Sequence, residues 1–173
     1  MLANCKCKYT KHFQNASDYL NYFYQMSKMR SECPISCSLE VFGDKWSLLI
    51  IRDLIFYQKS TYGDFLKSDE KIATNILASR LLALEENGII EKREHPDSKA
   101  KVLYRLTNKG IDLLPIIFEI HLWAEKYFPI PEDLQEMVND AKKNKEVALK
   151  TMMEGLRKQL EEDKSEVLIK VLN

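Results

Sequence analysis

The sequence predicts a mainly α-helical fold that contains one small β-hairpin. Apolar residues recur at helical spacing through most of the chain, whereas apolar and polar residues alternate only near residues 89–106, around a turn signal. Directly before this hairpin, residues 61–67 and 71–88 form two helical patterns that are separated by a few polar residues. Two helices across a tight turn, followed by a hairpin, predict a winged helix-turn-helix.

The composition is that of an ordinary globular protein, long enough for one domain with extensions. The 173 residues are 45% apolar and 30% charged. No apolar run approaches the roughly 18 residues of a membrane span, and no signal-peptide pattern is present, so we expect a cytoplasmic protein without a membrane partner. No Ser-His-Asp order, Gly-rich phosphate loop or HExxH motif occurs, and we therefore expect no enzymatic activity.

The formal net charge is zero, but the charges are unevenly distributed. Residues 1–30 contain five Lys/Arg and one Asp, a balance of +4, and residues 92–109 contain six Lys/Arg and two acids, again +4. Residues 132–173 contain eight basic and ten acidic residues, a balance of −2. A neutral protein with two basic segments can still bind a phosphate backbone locally.

All four cysteines lie in the first 37 residues. Cys-x-Cys and Cys-x-x-x-Cys at this separation match no common structural zinc site, so we expect neither a metal nor a cofactor. Cys33 precedes Pro34, which suits the first position of a helix and makes Cys33 the N-cap. A thiol at that place lies at the positive end of the helix dipole, which favours the thiolate.

Residues 1–32 form a basic and aromatic extension. Ser17 is a suitable N-cap for a short amphipathic helix that carries Tyr19, Tyr22, Phe23 and Met26 on one face. This helix would cover apolar surface on the body or on a partner subunit, or the segment would act as a basic arm that reaches DNA.

The next two helices are separated by Gly43, which ends the first, and by Asp44, which caps the second. Residues 45–56 are nearly all apolar and predict the central buried helix, with Trp46, Leu49, Ile50 and Leu54 in the core. A short helix over residues 61–67, introduced by Ser60 or Thr61, follows it.

The helix over residues 71–88 has two different faces. We expect Thr74 to be its N-cap and Gly88 to follow its last turn. Its apolar side consists of Ala73, Leu77, Leu81 and Leu84, and its opposite side of Asn75, Ser79, Leu82 and Glu86. Small and amide side chains on an outer face can enter a narrow space and form hydrogen bonds, as a recognition helix does.

Residues 111–127 predict a helix that is apolar nearly all round, which in a small domain indicates a subunit interface. Pro115 lies near its start, where a missing N–H costs little, or introduces a kink. Residues 128–173 are a charged, helical C-terminal extension in which we identify no chemistry.

The chain resembles the HxlR-type winged helix-turn-helix regulators, which are related to the MarR group. The resemblance covers residues 33–127 and rests on Cys33-Pro34, Arg80-Leu81 and residues 43–54, 72–77, 84–88 and 104–110. It implies a dimeric transcription factor that binds double-stranded DNA and dimerises through its first and last core helices. In some members a Cys at the position of Cys33 senses thiol-reactive electrophiles, so redox sensing at Cys33 is a hypothesis.

The expected DNA contacts fall into three groups. Asn75 and Ser79 would contact base edges. Phosphate contacts are expected from Thr61 and Thr74, and Arg80 would contact a phosphate or form an ion pair inside the motif. Arg93, Lys99 and Lys101 would supply the salt-sensitive contacts of the wing. The alternative is a winged-helix module that serves protein–protein assembly without binding DNA.

Overall fold

The computed structural model describes Leu20, residues 30–95 and residues 98–172. By its backbone contacts the chain divides into two compact units, residues 1–43 and residues 44–173. Apart from Leu20, the aromatic helix that the sequence predicts near residues 17–26 lies outside the described residues.

In the first unit, helix α1 spans Pro34–Phe42. Cys33 is its N-cap and Pro34 its first residue, as the sequence predicts, and Gly43 is its C-cap. Two apolar side chains one turn apart, Ile35 and Leu39, are exposed.

The second unit begins with helix α2, Lys45–Phe56. The carboxylate of Asp44 caps it by accepting hydrogen bonds from the amides of Trp46 and Ser47, which confirms the predicted cap. Ile50 and Leu54 are buried, as expected, whereas Trp46 and Leu49 are only half-buried. Helix α2 therefore lies in the centre of the core, although Trp46 and Leu49 near its start are less deeply buried than Ile50 and Leu54.

Helices α3, Tyr62–Leu66, and α4, Thr74–Glu86, form the helix-turn-helix. The N-cap of α4 is Ala73, so the expectation that Thr74 caps it is wrong, and Thr74 is the first helical residue. Gly88 follows the C-cap with a left-handed φ of 66°, which favours glycine and confirms its predicted place after the helix.

The predicted hairpin is present as strands β1, Ile90–His95, and β2, Ser98–Leu106. They pair antiparallel, with Ile90 opposite Leu106 and Lys92 opposite Tyr104. The segment before α3 adds to the outer edge of β2, because the amide of Tyr104 donates to the carbonyl of Ser60 at 2.7 Å. This pairing ties the wing to the helix-turn-helix.

A short helix α5, Asn108–Ile111, follows the wing, and helix α6 spans Leu114–Ala124. The single helix predicted over residues 111–127 is therefore wrong: the chain breaks before Leu114, and Pro115 lies in the first turn of α6, where its missing N–H costs no hydrogen bond. At Gly110 an added Cβ would lie 2.2 Å from the carbonyl oxygen of Ile89, so the chain segments meet too closely for a side chain.

Helices α7, Glu132–Lys143, and α8, Lys145–Leu172, form the C-terminal part. Helix α8 packs on α5, α6 and α7. Ion pairs join it to the rest of the unit, from Arg157 to Asp112 at 2.7 Å and from Asp163 to Arg105 at 2.8 Å. Among the residues that the structure describes, no helix combines the length and the apolar character that crossing a bilayer requires.

Side chains from α2, α3, α4, the wing and α5–α6 form the centre of the core. The most deeply buried are Phe65, Ile51, Leu77, Leu81, Leu84, Ile89, Ile90, Ile111 and Leu114. Because α4 contributes three of them from one face, its opposite face is left at the surface.

Candidate nucleic-acid interface

The outer face of α4 is exposed and chemically unused. Leu77, Leu81 and Leu84 anchor the helix in the core, which places Asn75 and Ser79 at the surface. Within the described residues neither of these two side chains forms a hydrogen bond or an ion pair. Leu82 lies beside them and is 51% exposed. The face therefore offers an amide, a hydroxyl and an apolar group to an external partner.

The N-terminus of α4 is also open. Ala73 provides no side-chain cap, and the first intrahelical hydrogen bond is the one from the amide of Leu77 to the carbonyl of Ala73. The amides of Thr74, Asn75 and Ile76 therefore have no acceptor within the helix. Free amides and the positive end of the helix dipole together suit a phosphate oxygen.

Tyr62 positions this N-terminus. Its hydroxyl donates to the carbonyl oxygen of Thr74 at 2.7 Å, which connects the first turn of α3 to the first turn of α4. The sequence does not predict this contact, because nothing in the local pattern distinguishes Tyr62 from an ordinary helical residue.

A buried carboxylate holds the turn between α3 and α4. Asp53 is 2% exposed and accepts from the hydroxyl of Ser68 at 2.6 Å and from the ammonium of Lys59 at 3.0 Å. Lys59 also donates to Ser68 at 2.7 Å. An isolated Asp in the apolar helix α2 was the available sequence signal for such a network, since a buried charge needs partners.

Arg52 adds a second connection to the same turn. Its guanidinium donates to Asp53 at 2.6 Å and contacts Glu70 at 2.5 Å. The hydrogen bond from Arg52 holds the pKa of Glu70 below its usual value, and burial of the carboxyl opposes that shift. Helix α2 therefore contacts the turn that precedes α4 at two residues, Ser68 and Glu70.

Thr61, a predicted phosphate contact, is committed to a capping box. Its hydroxyl donates to Asp64 at 2.6 Å, and the amide of Asp64 in turn donates to the hydroxyl oxygen of Thr61 at 3.2 Å. The hydrogen bond from Thr61 lowers the pKa of Asp64, against an opposing effect of burial. A carboxylate that stays ionised at this place disfavours a phosphate, so the local geometry does not favour the predicted phosphate contact of Thr61.

Arg80 forms the structural ion pair that was one of its two expected roles. Its Nε donates to Oδ1 of Asp44 at 2.9 Å, across α4 and α2. This pair directs the Nε edge of the guanidinium group at α2.

Three of the six basic residues in the wing segment are paired with an acid. Lys92 pairs with Glu85, Arg93 with Glu91 and Arg105 with Asp163. Lys109 donates to the carbonyl of Asn87. The balance of +4 counted along residues 92–109 therefore does not describe the surface, because the three acids that neutralise it lie outside that segment.

The tip of the wing carries an exposed basic side chain without an ion pair among the described residues, whereas the basic side chains nearer its base are paired with acids. The side chain of Arg93 is 11% exposed and pairs with Glu91, so this geometry does not favour its predicted contact with DNA. Lys101 is exposed and forms no ion pair within the described residues, as expected for a phosphate contact. The side chain of Lys99, on the same strand, lies outside the described part.

The structure contains an exposed polar helix with a supporting helix before it and a β-hairpin after it, and the hairpin is hydrogen-bonded to the segment before α3. This arrangement defines a winged helix-turn-helix protein. The HxlR-like helix-turn-helix family model matches residues 41–132, and the chain belongs to this family. The predicted fold and family are thus confirmed, and the family is one of transcriptional regulators.

Individual relatives resemble this chain over its winged-helix part. The uncharacterised HTH-type transcriptional regulator YdeP of Bacillus subtilis is 34% identical over 95 residues, which cover 55% of this chain and 73% of YdeP. The candidate transcription factor PA1607 has 41% identity and a TM-score of 0.53, over 60% of this chain and 70% of PA1607. The oxidised form of the redox regulator HypR has 27% identity and a TM-score of 0.50, over 57% of this chain and 100% of HypR.

Proposed function

We propose that the protein is a transcriptional regulator that binds DNA sequence-specifically as a homodimer, in the cytoplasm. The observation that carries this proposal is the outer face of α4, where Asn75 and Ser79 are exposed and, within the described residues, unpaired, while the opposite face is fixed in the core. A helix of this size fits the major groove, and an Asn side chain can form two hydrogen bonds with adenine.

The contacts divide into those that read bases and those that hold the backbone. Asn75 and Ser79 read base edges, and Leu82 offers an apolar contact to a thymine methyl group. Thr74 and the open amides of the first turn of α4 hold a phosphate. Lys101, with Lys99 near it in sequence, supplies the salt-sensitive contact of the wing. Thr61, Arg80 and Arg93 support the motif from within.

An exposed apolar stripe on α6 supports the homodimer. Ile116, Ile120 and Trp123 follow at intervals of four and three residues and are 40%, 45% and 57% exposed. Tyr127 and Phe128 extend the stripe beyond the helix, with their rings 4.9 and 6.0 Å from that of Trp123. Such a surface suits burial against a second copy, and the exposed Ile35 and Leu39 on α1 make a second apolar surface of the same kind.

The dimer is tested by sedimentation. Trp123→Asp places a charge in the apolar stripe, and we expect it to convert the dimer into a monomer. Val147→Asp is the matched control, because Val147 on α8 is similarly exposed but lies outside the stripe. Dissociation by both variants, or by neither, would contradict an interface on α6.

DNA binding is tested with the region upstream of the protein's own gene and with a random DNA pool. On this proposal the selected sites form an imperfect palindrome with half-sites about one helical turn, roughly 34 Å, apart. Absence of a mobility shift even at low salt would favour the alternative, a winged-helix module used only for protein–protein assembly.

A thiol response at Cys33 is part of the proposed function. Cys33 is exposed, is a free thiol and lies at the N-cap of α1, where its side chain makes no capping hydrogen bond. Cys37, one turn on, donates its thiol proton to the carbonyl of Ser31 at 3.2 Å. HypR, a redox regulator by name, supports the hypothesis by its similarity.

Mass spectrometry after mild diamide treatment tests this response. We expect Cys33 to react before the other thiols, with a change in DNA affinity that Cys33→Ser abolishes. A Cys33 that stays reduced while the other thiols are modified would exclude it as the sensor.

A further inference from the structure

A cavity of about 350 Å³ lies between helix α8 and the base of the wing. Its walls come from the end of α2, from β2, from α5 and from α8. Helix α8 lies beyond residues 41–132 that the family model matches, so this cavity depends on a part of the chain outside the family model. The apolar part of its lining consists of Leu54, Leu106, Ile111, Leu156 and Leu160.

Lys59 and Arg105 line the other part of the cavity, and both keep unused donors. Lys59 donates to Asp53 and Ser68, which leaves one of its three ammonium protons without an acceptor among the described side chains. Arg105 donates through Nε to Asp163 at 2.8 Å and makes a long contact of 3.5 Å to the carbonyl of Tyr104. Its Nη2 has no acceptor in the described part of the chain.

The carboxylate of Asp163, which also lines the cavity, is shared between two guanidinium groups. Asp163 pairs with Arg105, and Nη1 of Arg93 lies 3.9 Å from it. This Nη1 atom is buried and has no hydrogen-bond partner within the described residues. Among the described side chains, donors therefore outnumber acceptors around Asp163, and an additional anion would relieve that imbalance.

Two glutamine side chains lie at the mouth of the cavity, and one of these residues has an uncommon backbone conformation. Gln58 and Gln159 line it, and both are exposed. Gln58 has a φ of 51°, in the left-handed region that is uncommon for a residue other than glycine. Such backbone conformations concentrate at ligand contacts and switch regions, so this loop has a second feature of a binding site.

We propose that this cavity binds a small organic carboxylate with an apolar body. The carboxylate accepts hydrogen bonds from Arg105 and Lys59, and the body packs on the leucines of α8 and β2. The volume falls in the range of small-molecule sites, and an apolar wall that faces a few convergent donors is the arrangement that binds a ligand with one charged end and one apolar end. Inorganic phosphate fits less well, because it would leave the apolar wall unused.

Occupancy of this site would reach the DNA-binding elements, a consequence that rests on the proposed function. Lys59 belongs to the Asp53–Ser68 network that holds the turn before α4. The carbonyl of Ser60, the next residue, accepts the amide of Tyr104 in the wing. A carboxylate that binds Lys59 and Arg105 therefore alters two sets of contacts at once. One is the Asp53–Ser68 network before the recognition helix, and the other is the pairing of Ser60 with the wing.

The binding test uses the full-length protein without DNA. In methyl NMR spectra we expect 4-phenylbutyrate and octanoate to shift the resonances of Leu106, Leu156 and Leu160 at up to millimolar concentration. The neutral 4-phenylbutanamide should bind about tenfold more weakly, because it lacks the charge that Arg105 and Lys59 recognise.

Two variants and a control make the test specific. Arg105→Gln should lower the affinity for 4-phenylbutyrate about tenfold. Leu156→Trp should fill the cavity and abolish the shifts of the methyl resonances. Arg157→Gln, on the same helix, removes a cation outside the cavity and should leave the affinity unchanged. Thermal melts confirm that each variant is folded.

Three outcomes would overturn the proposal: no shift of these methyl groups by either carboxylate, equal binding of the amide, or equal weakening by Arg105→Gln and Arg157→Gln. None of them involves DNA, so a failure here is distinguishable from a failure of the proposed function. If the protein does bind DNA, 4-phenylbutyrate should change that affinity in the native protein and not in Leu156→Trp.

Discussion

The guanidinium of Arg80 and two backbone amides share one oxygen atom of Asp44. Nε of Arg80 donates to Oδ1 at 2.9 Å, and the same oxygen caps α2 by accepting from Trp46 at 2.9 Å and Ser47 at 3.2 Å. A single carboxylate therefore both starts the central helix and fixes the recognition helix against it.

Because Asp44 has two roles and Arg80 has one, we expect the loss of Asp44 to lower the free energy of unfolding more than the loss of Arg80. Asp44→Ala should lower the free energy of unfolding by about 1–2 kcal/mol, because it removes the helix cap as well as the ion pair. Arg80→Ala should cost less than about 1 kcal/mol, because the pair is about one-third exposed and solvent screens it. Urea unfolding measures both, and a larger loss for Arg80→Ala would contradict the assignment.

Asn75→Ala tests base reading. We expect specific DNA binding to weaken by about 1–3 kcal/mol and the preference at one base pair to relax, with unchanged stability because Asn75 is exposed. Fluorescence anisotropy on a series of single-base variants of the selected site gives both quantities. Glu86→Gln, at the other end of the same exposed face, is the control. Uniform weakening on every sequence would assign Asn75 to backbone contact instead.

Lys101→Ala tests the wing tip. It should weaken binding to all sequences alike and reduce the slope of affinity against salt concentration by about one. Lys150→Ala makes the same change in net charge on α8, where the side chain of Lys150 is 77% exposed, and should leave the slope unchanged. Equal slopes for both variants would show that only the total charge of the protein matters.

Asp53→Ala should destabilise the fold more than either Asp44→Ala or Arg80→Ala. It leaves Lys59 and Arg52 without the buried carboxylate that they share, and we expect a loss of about 3–5 kcal/mol in the free energy of unfolding. Asp112→Ala removes an exposed ion pair with Arg157 and should cost under about 1 kcal/mol. Chemical denaturation of both variants compares them, and similar losses would contradict a supporting role for the network.

Asp64 predicts a dependence of stability on pH. Its pKa is lowered in the folded protein by the hydrogen bond from Thr61, so its ionised form stabilises the fold. That contribution is fully present above the ordinary pKa of about 4 and is lost as pH falls through the lowered folded value. The advantage of the native protein over Asp64→Asn should therefore shrink in acid, as unfolding measured between neutral and acidic pH would show. A constant difference would contradict it.

Local signals in the sequence predicted local structure well. Cys33-Pro34, Asp44 and Thr61 each mark a helix start that the structure contains, because capping depends on residues a few positions away. The exposed Asn75 and Ser79 followed from helical periodicity alone. The exception is Thr74, where a good capping residue lies one place inside the helix and Ala73 takes the cap.

Contacts between distant segments could not be predicted in this way. The neutralisation of Arg105 depends on Asp163, 58 residues further on, which reaches the wing only because α8 packs there. Arg93, which the sequence predicted as a wing contact with DNA, lies between Glu91 and Asp163, and the second of these comes from the same distant helix. The net charge of a sequence segment predicts the surface potential there only when no other helix or strand packs on that segment.

The close approach at Gly110 limits how the wing can move. The hydroxyl of Thr107 donates to the carbonyl of Gly88 at 2.6 Å and accepts from the amide of Gly110, while the amide of Thr107 donates to the carbonyl of Ile89. The two ends of the hairpin are thus joined to the start of α5 without room for a side chain. In a dimer formed through α6, the bonds between the hairpin ends and α5 would couple the distance between the two wings to the orientation of α6 at the dimer axis.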